Sequence, residues 1–177
     1  CFEDENIVHV DGEVNPLRDV ETINLELILS DLELVEKRLE KARKSLKGNK
    51  SFKEEVDLLE KILPVLEEGK SIRSLSFNDN EKAILKNFSL LSVKPIIYVA
   101  NVNEDDMLDE GKSNEYVKVL NDFAKQENSG IVVISAQIEK EISELEDDEQ
   151  IEFLNDLGIS ESGVSKLIKE SYNLLGL

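Results

Sequence analysis

Lys94–Asn101 reads KPIIYVAN, and Gly130–Gln137 reads GIVVISAQ. Each is a short apolar run rich in β-branched residues that ends in polar side chains, the pattern of a buried strand. Between them, SNEYVKVLNDFAKQENS sets Tyr116, Val117, Leu120, Phe123 and Ala124 on one helical face. Strand, helix and strand within about forty residues make a βαβ unit, which implies a parallel sheet. The fold class is therefore α/β.

Upstream the periodicity changes. Leu25, Ile28, Leu32, Val35, Leu39, Ala42 and Leu46 alternate steps of three and four, which predicts a coiled-coil seam. LKGNKS at Leu46–Ser51 interrupts it, and a second seam follows at Phe52, Val56, Leu59, Leu63 and Leu66. Two such stripes joined by a tight polar turn predict an antiparallel helical hairpin, since each needs the other to leave water. Pro64 falls inside the second stripe, where a kink or frayed turn is expected. Asn78, three residues before Glu81, predicts a capping box and a short helix. Two more helices are expected near the end, one around Gln150–Leu157 and one over Glu161–Leu175. The opening CFEDENIVHVDGEVNPLRD is rich in turn formers and reads as extended or looping.

Composition narrows the function classes. The chain has 177 residues, 21 basic against 39 acidic, for a net charge of −18. That excess argues against nucleic-acid binding through the whole surface. It is uneven: Asn24–Lys70 holds 10 basic and 11 acidic residues, while 139–156 holds nine acids and one base, Lys140. No apolar run approaches the length of a membrane span. One cysteine, Cys1, forms no internal disulfide, which fits a reducing compartment. The chain opens without Met, which suggests part of something longer or a processed product. His9 is the only histidine and has no neighbouring ligand partner, and the acids Glu3, Asp4, Glu5 and Asp11 read as a solvated loop.

Two copies of EGKS, Glu68–Ser71 and Glu110–Ser113, suggest a phosphate-binding loop. That loop needs a glycine five positions before the Gly-Lys pair, a strand before it and a helix after it. Here Pro64 and Asp106 stand in the glycine's place. A proline removes an N–H that phosphate would use, and an aspartate sets charge against it. Both copies therefore read as helix ends or loops.

The other polar cluster is more promising. In an open α/β sheet, ligands bind beyond the carboxyl ends of the strands. The first strand delivers Asn101-Val102-Asn103-Glu104 there, and the second delivers Ser135-Ala136-Gln137. An Asn with a carboxylate three residues on, then a Ser-Ala pair from the next strand, resembles the base grip of P-loop GTPases. There the motif is N-K-x-D, and the Ser-Ala backbone N–H meets the guanine oxygen. In N-V-N-E, Glu104 is one methylene too long to stand where Asp would, and Val102 replaces the lysine stem. A shifted acceptor weakens guanine discrimination.

The chain resembles the Obg-like ATPases, the YchF family. The carriers are CFEDENIVHVDGEVNPLRDVETINLELILSDLE, KPIIYVANVNE and IEKEISELEDDEQIEFLNDLGISESGVSKLI. The resemblance implies the base-binding half of a P-loop NTPase domain with an inserted coiled-coil hairpin. It implies a G-like domain over 1–18 and 89–177, and the insertion over 19–88. It also implies a cytoplasmic hydrolase that uses ATP, and GTP less readily, with Mg2+, and that associates with the ribosome. Asn101 would hold the purine edge, and the backbone and stem of Val102 would lie against the ring. Glu104 would set the altered preference, and Ser135, Ala136 and Gln137 would form the second base-side loop. The family's phosphate loop and magnesium ligands lie upstream of Cys1 and its TGS domain downstream of Leu177. This chain alone is therefore expected to bind no cofactor and to be inactive. The alternative is a non-enzymatic module whose hairpin docks on a ribosome or protein partner.

Overall fold

A computed structural model describes residues 1–2 and 13–177. His9 and the acids Glu3, Asp4, Glu5 and Asp11 lie outside the described residues. The chain forms two compact units, Cys1–Arg18 with Pro95–Leu177, and Asp19–Lys94.

The helical unit is entered through α1, Pro16–Leu46. The expected loop gives way to helix earlier than the turn formers suggest. Asn15 Oδ1 accepts from the Arg18 N–H at 3.1 Å, and Pro16 takes the first helical position, where its missing N–H costs nothing. After a 3₁₀ turn at Lys50–Phe52, α2, Lys53–Glu67, folds back. It runs through Pro64 for three more residues instead of ending there. Gly69 then terminates it with φ +69°. The Gly69 and Lys70 N–H groups reach back to the Leu66 and Val65 carbonyls, the Schellman arrangement that glycine's left-handed backbone permits. α3, Asp79–Leu85, opens on the expected capping box between Asn78 and Glu81.

The packing departs from a two-helix seam. α1 buries Ile28, Asp31, Val35, Leu39 and Ala42, but Leu25 is 47% exposed and Leu32 and Leu46 are only partly covered. α2 buries Val56, Leu58, Leu59, Ile62 and Leu66, more than one stripe. One cluster joins these residues of both helices to Ile72, Leu85, Phe88 and Leu90. The segment after the hairpin thus shares one core with both helices. Asp31 is the unexpected buried residue on α1: it accepts from Leu91 N–H (2.8 Å), Ser92 N–H (2.7 Å) and Ser92 Oγ (2.6 Å). These bonds tie the returning chain to α1.

The second unit holds β1, Ile97–Asn101, then α4, Glu104–Met107, α5, Glu115–Gln126, and β2, Gly130–Ile134. β1 and β2 pair in parallel, Ile97 opposite Gly130 and Asn101 opposite Ile134, as the βαβ pattern requires. α5 packs on both strands, and Tyr98 meets Phe123 edge-on at 5.9 Å. β1 is not buried on both faces: Tyr98 and Ala100 are covered, but Val99 is 43% exposed. α6, Ala136–Ser143, α7, Asp147–Asp156, and α8, Gly163–Leu175, complete the unit. The sequence reading missed α6, because it ran the strand through SAQ. β2 stops at Ile134, and Ser135 sits at the α6 N-cap. α8 returns to β2 by a close approach: a Cβ on Gly163 would stand 2.5 Å from Ile134 Cγ2.

Candidate functional site

The parallel register brings the polar ends of β1 and β2 side by side. Asn101 and Ile134 are partners, so the residues that follow each strand leave the sheet at the same edge. Val102 N–H donates to the Ile134 carbonyl at 2.8 Å, extending the ladder by one rung. Asn101 Oδ1 then accepts from the Ala136 N–H at 2.9 Å. One side chain thus links the end of β1 to the first turn of α6.

This bond fixes the amide's orientation. With Oδ1 facing a donor, the Nδ2 group is the end left to meet an acceptor elsewhere. The Asn101 carbonyl is held as well, accepting from the Cys1 nitrogen at 2.7 Å. In P-loop GTPases the Ser-Ala backbone N–H meets the guanine oxygen; here the Ala136 N–H is engaged by Asn101.

The other candidates divide into exposed and buried. Ala136 and Gln137 are exposed in the first turn of α6. Glu104 is half-buried at the start of α4. That turn is capped by Asn103, whose Oδ1 accepts from the Asp106 N–H at 2.9 Å. Val102 is only 2% exposed, so its side chain packs inward and offers a ring little of the stem expected of it. Ser135 is 1% exposed, and its Oγ has no hydrogen-bond partner among the described residues.

Both EGKS copies are structural. The first supplies the α2 cap described above, with Lys70 paired to Glu68 at 2.7 Å and Ser71 Oγ donating to the Ser92 carbonyl at 2.7 Å. The second is a turn ahead of α5. Ser113 N–H donates to Asp109 Oδ2 at 2.9 Å, and Glu110 pairs with Lys166 at 2.9 Å and Lys112 at 3.3 Å. Those lysines, Lys166 first, hold the Glu110 carboxyl below the usual carboxylate range. Among the described residues no three His, Cys, Asp or Glu side chains are grouped to hold a metal.

One residue escaped the sequence reading. Asn114 caps α5, its Oδ1 accepting from the Tyr116 and Val117 N–H groups. Its Nδ2 donates to the Cys1 carbonyl at 2.9 Å and to Asp106 Oδ2 at 2.8 Å. An Asn immediately before an apolar helical face was the available signal for the cap. The partners at Cys1 and Asp106 left none.

No family model matches the chain. Individual proteins do. Over its whole length it is 47% identical to the ribosome-binding ATPase YchF of Bacillus subtilis, and 44% and 42% identical to the proteins of that name from Pasteurella multocida and Escherichia coli O157:H7. It covers 48% of each, so the chain spans about half the length of these curated relatives. Among solved structures, the Schizosaccharomyces pombe YchF GTPase superposes with a TM-score of 0.84 at 31% identity, over 98% of this chain and 47% of that one. Among the described residues no helix is long and apolar enough to cross a membrane.

Proposed function

The chain belongs to the YchF family, and from that premise we propose that it carries the purine-recognising part of a nucleoside triphosphate hydrolase acting on ATP and also on GTP. The observation that supports this reading is the Asn101–Ala136 hydrogen bond at the carboxyl edge of a parallel strand pair. It turns the amide's donor end outward, where a purine N7 is an acceptor in adenine and guanine alike. Discrimination then falls to the other base edge. Guanine presents an oxygen that needs a donor, and the Ala136 N–H is already engaged. Adenine presents an amine that needs an acceptor, and Glu104 carries a carboxylate with no partner among the described residues. Asn101 and Glu104 are therefore assigned as base contacts, with Ala136 and Gln137 as flanking wall. Val102 and Ser135 support the site from beneath.

Phosphoryl transfer depends on a phosphate loop, its lysine and magnesium, and no G-x-x-x-x-G-K-[ST] occurs in this sequence. This chain alone should therefore turn over neither ATP nor GTP. The relatives are named for ribosome binding. We assign the corresponding role here to the helical unit, Asp19–Lys94, as a contact arm in a cytoplasmic protein.

The test is a pair of titrations, ATP and GTP, on variants of the full-length protein. Asn101→Ala should weaken both nucleotides by removing an edge contact worth on the order of 1 kcal/mol. Glu104→Asp should shift the ATP-to-GTP affinity ratio toward GTP by about tenfold. If Asn101→Ala leaves both affinities intact and Glu104→Asp leaves the ratio unchanged, these residues do not read the base.

A further inference from the structure

The Asn114 side chain makes every hydrogen bond that an amide can make. Its oxygen accepts from two backbone N–H groups, Tyr116 at 2.9 Å and Val117 at 3.1 Å. Its nitrogen donates twice, to the Cys1 carbonyl and to the Asp106 carboxylate. Only an amide supplies two acceptor sites and two donors from one planar group. A helix cap needs the oxygen alone, and Ser, Thr or Asp would serve it as well. The nitrogen's two bonds therefore call for another explanation.

Those bonds converge on the segment that carries Asn101 and Glu104. The Cys1 nitrogen donates to the Asn101 carbonyl, so the Asn114–Cys1 contact braces the beginning of the segment. Asp106 sits at its far side, its own N–H held by Asn103 Oδ1 and its carbonyl accepting from Gly111 N–H at 2.7 Å. Asn114 thus grips Asn101–Asp106 near both ends, through partners on either side of Glu104. From α5, which packs on both strands, the brace is anchored to the sheet itself.

We infer that Asn114 is a positioning residue for base recognition: its amide nitrogen, through Cys1 and Asp106, holds Asn101 and Glu104 in the geometry that meets the purine. The inference rests on the assignment of those two residues as base contacts. Its effect is on both nucleotides, since it acts on the whole segment and not on one base edge.

Asn114→Asp separates the two jobs of the side chain. The carboxylate still caps α5, but it turns an acceptor toward the Cys1 carbonyl and a negative charge toward Asp106. In the full-length protein this variant should lose about tenfold in affinity for ATP and for GTP, the scale of one lost hydrogen bond to a charged group. Asp106→Asn alone, which replaces the charged acceptor by a neutral one, should weaken both nucleotides less than Asn114→Asp does, because its amide oxygen still accepts from Asn114. The double variant Asn114→Asp with Asp106→Asn reverses donor and acceptor across the pair, and should recover several-fold in affinity along with melting temperature. The inference is overturned if Asn114→Asp binds both nucleotides like wild type. It is overturned as well if the double variant regains its melting temperature with no recovery of affinity. Asn101→Ala, measured alongside, tells the two levels apart. If it weakens binding while Asn114→Asp does not, only the positioning role fails; if it leaves binding intact, the base assignment falls and takes this inference with it.

Discussion

Asp31 lies on the apolar stripe of α1, three residues after Ile28 and four before Val35. A carboxylate in such a place is tolerable only when its oxygens are hydrogen-bonded. The Leu91 and Ser92 N–H groups and the Ser92 hydroxyl meet that need. Replacing Asp31 by Ala leaves two backbone donors without their acceptor, and should destabilise the helical unit by at least about 3 kcal/mol. Ser135 presents the opposite case, a buried hydroxyl whose Oγ has no partner among the described residues. Ser135→Ala should shift stability by no more than about half a kcal/mol. Chemical denaturation of both variants compares them directly, and a Ser135→Ala loss matching that of Asp31→Ala would mean that the hydroxyl is hydrogen-bonded in solution. An acid on a hydrophobic stripe was visible in the sequence. What it bound, sixty residues away, was not.

At the scale of elements, burial and charge divide the work within the helical unit. Leu59 is fully buried in the core cluster of the helical unit, and Leu59→Ala should cost roughly 2–5 kcal/mol. Lys44 is 72% exposed and paired within its own helix to Glu40, so Lys44→Ala should stay within about half a kcal/mol. Equal effects in a urea titration would show that the hairpin is held by its charges. The α3 capping box carries a pH signature. The Lys61 ammonium, then the Asn78 N–H, holds the Glu81 carboxyl below its usual range. A folded pKa below the unfolded one means that the unfolded chain binds more protons in acid. This contribution is therefore present above the unfolded carboxylate's pKa of about 4.3 and is lost as pH falls through the lower folded value. Glu81→Gln should flatten that part of the stability curve, and an unchanged acid limb would remove Glu81 from the account. The capping box, the βαβ order and the Gly69 stop were legible because they are local patterns. The α6 start was not: the one mark in GIVVISAQ is Ser135, an N-cap residue type that makes no side-chain cap bond here and that fits a strand end as well.

For the whole chain, a net charge of −18 on 177 residues means that self-repulsion opposes compaction. The ion pairs among the described residues are mostly exposed, Lys37 with Glu33 and Lys53 with Asp57 among them, and such pairs contribute little. Screening should consequently relieve more repulsion than it removes attraction. Raising monovalent salt from about 0.02 M to 0.3 M shortens the Debye length to well under 10 Å, and should raise the melting temperature. A fall would show that attractive pairs dominate. The division between what chain order dictates and what folding decides follows the range of the forces involved. Both strands, the long helices, the parallel sheet and the polar residues at its carboxyl edge were readable, because period and turn chemistry act over a few neighbours. Three-dimensional packing alone decided that the segment after the hairpin joins the core of both helices, that Val102 turns inward, and that the Ala136 N–H is spent on Asn101. The Asn114 bridge to Cys1 belongs with these. Each depends on a hydrogen bond or contact between residues far apart in sequence, and no local periodicity encodes such a meeting.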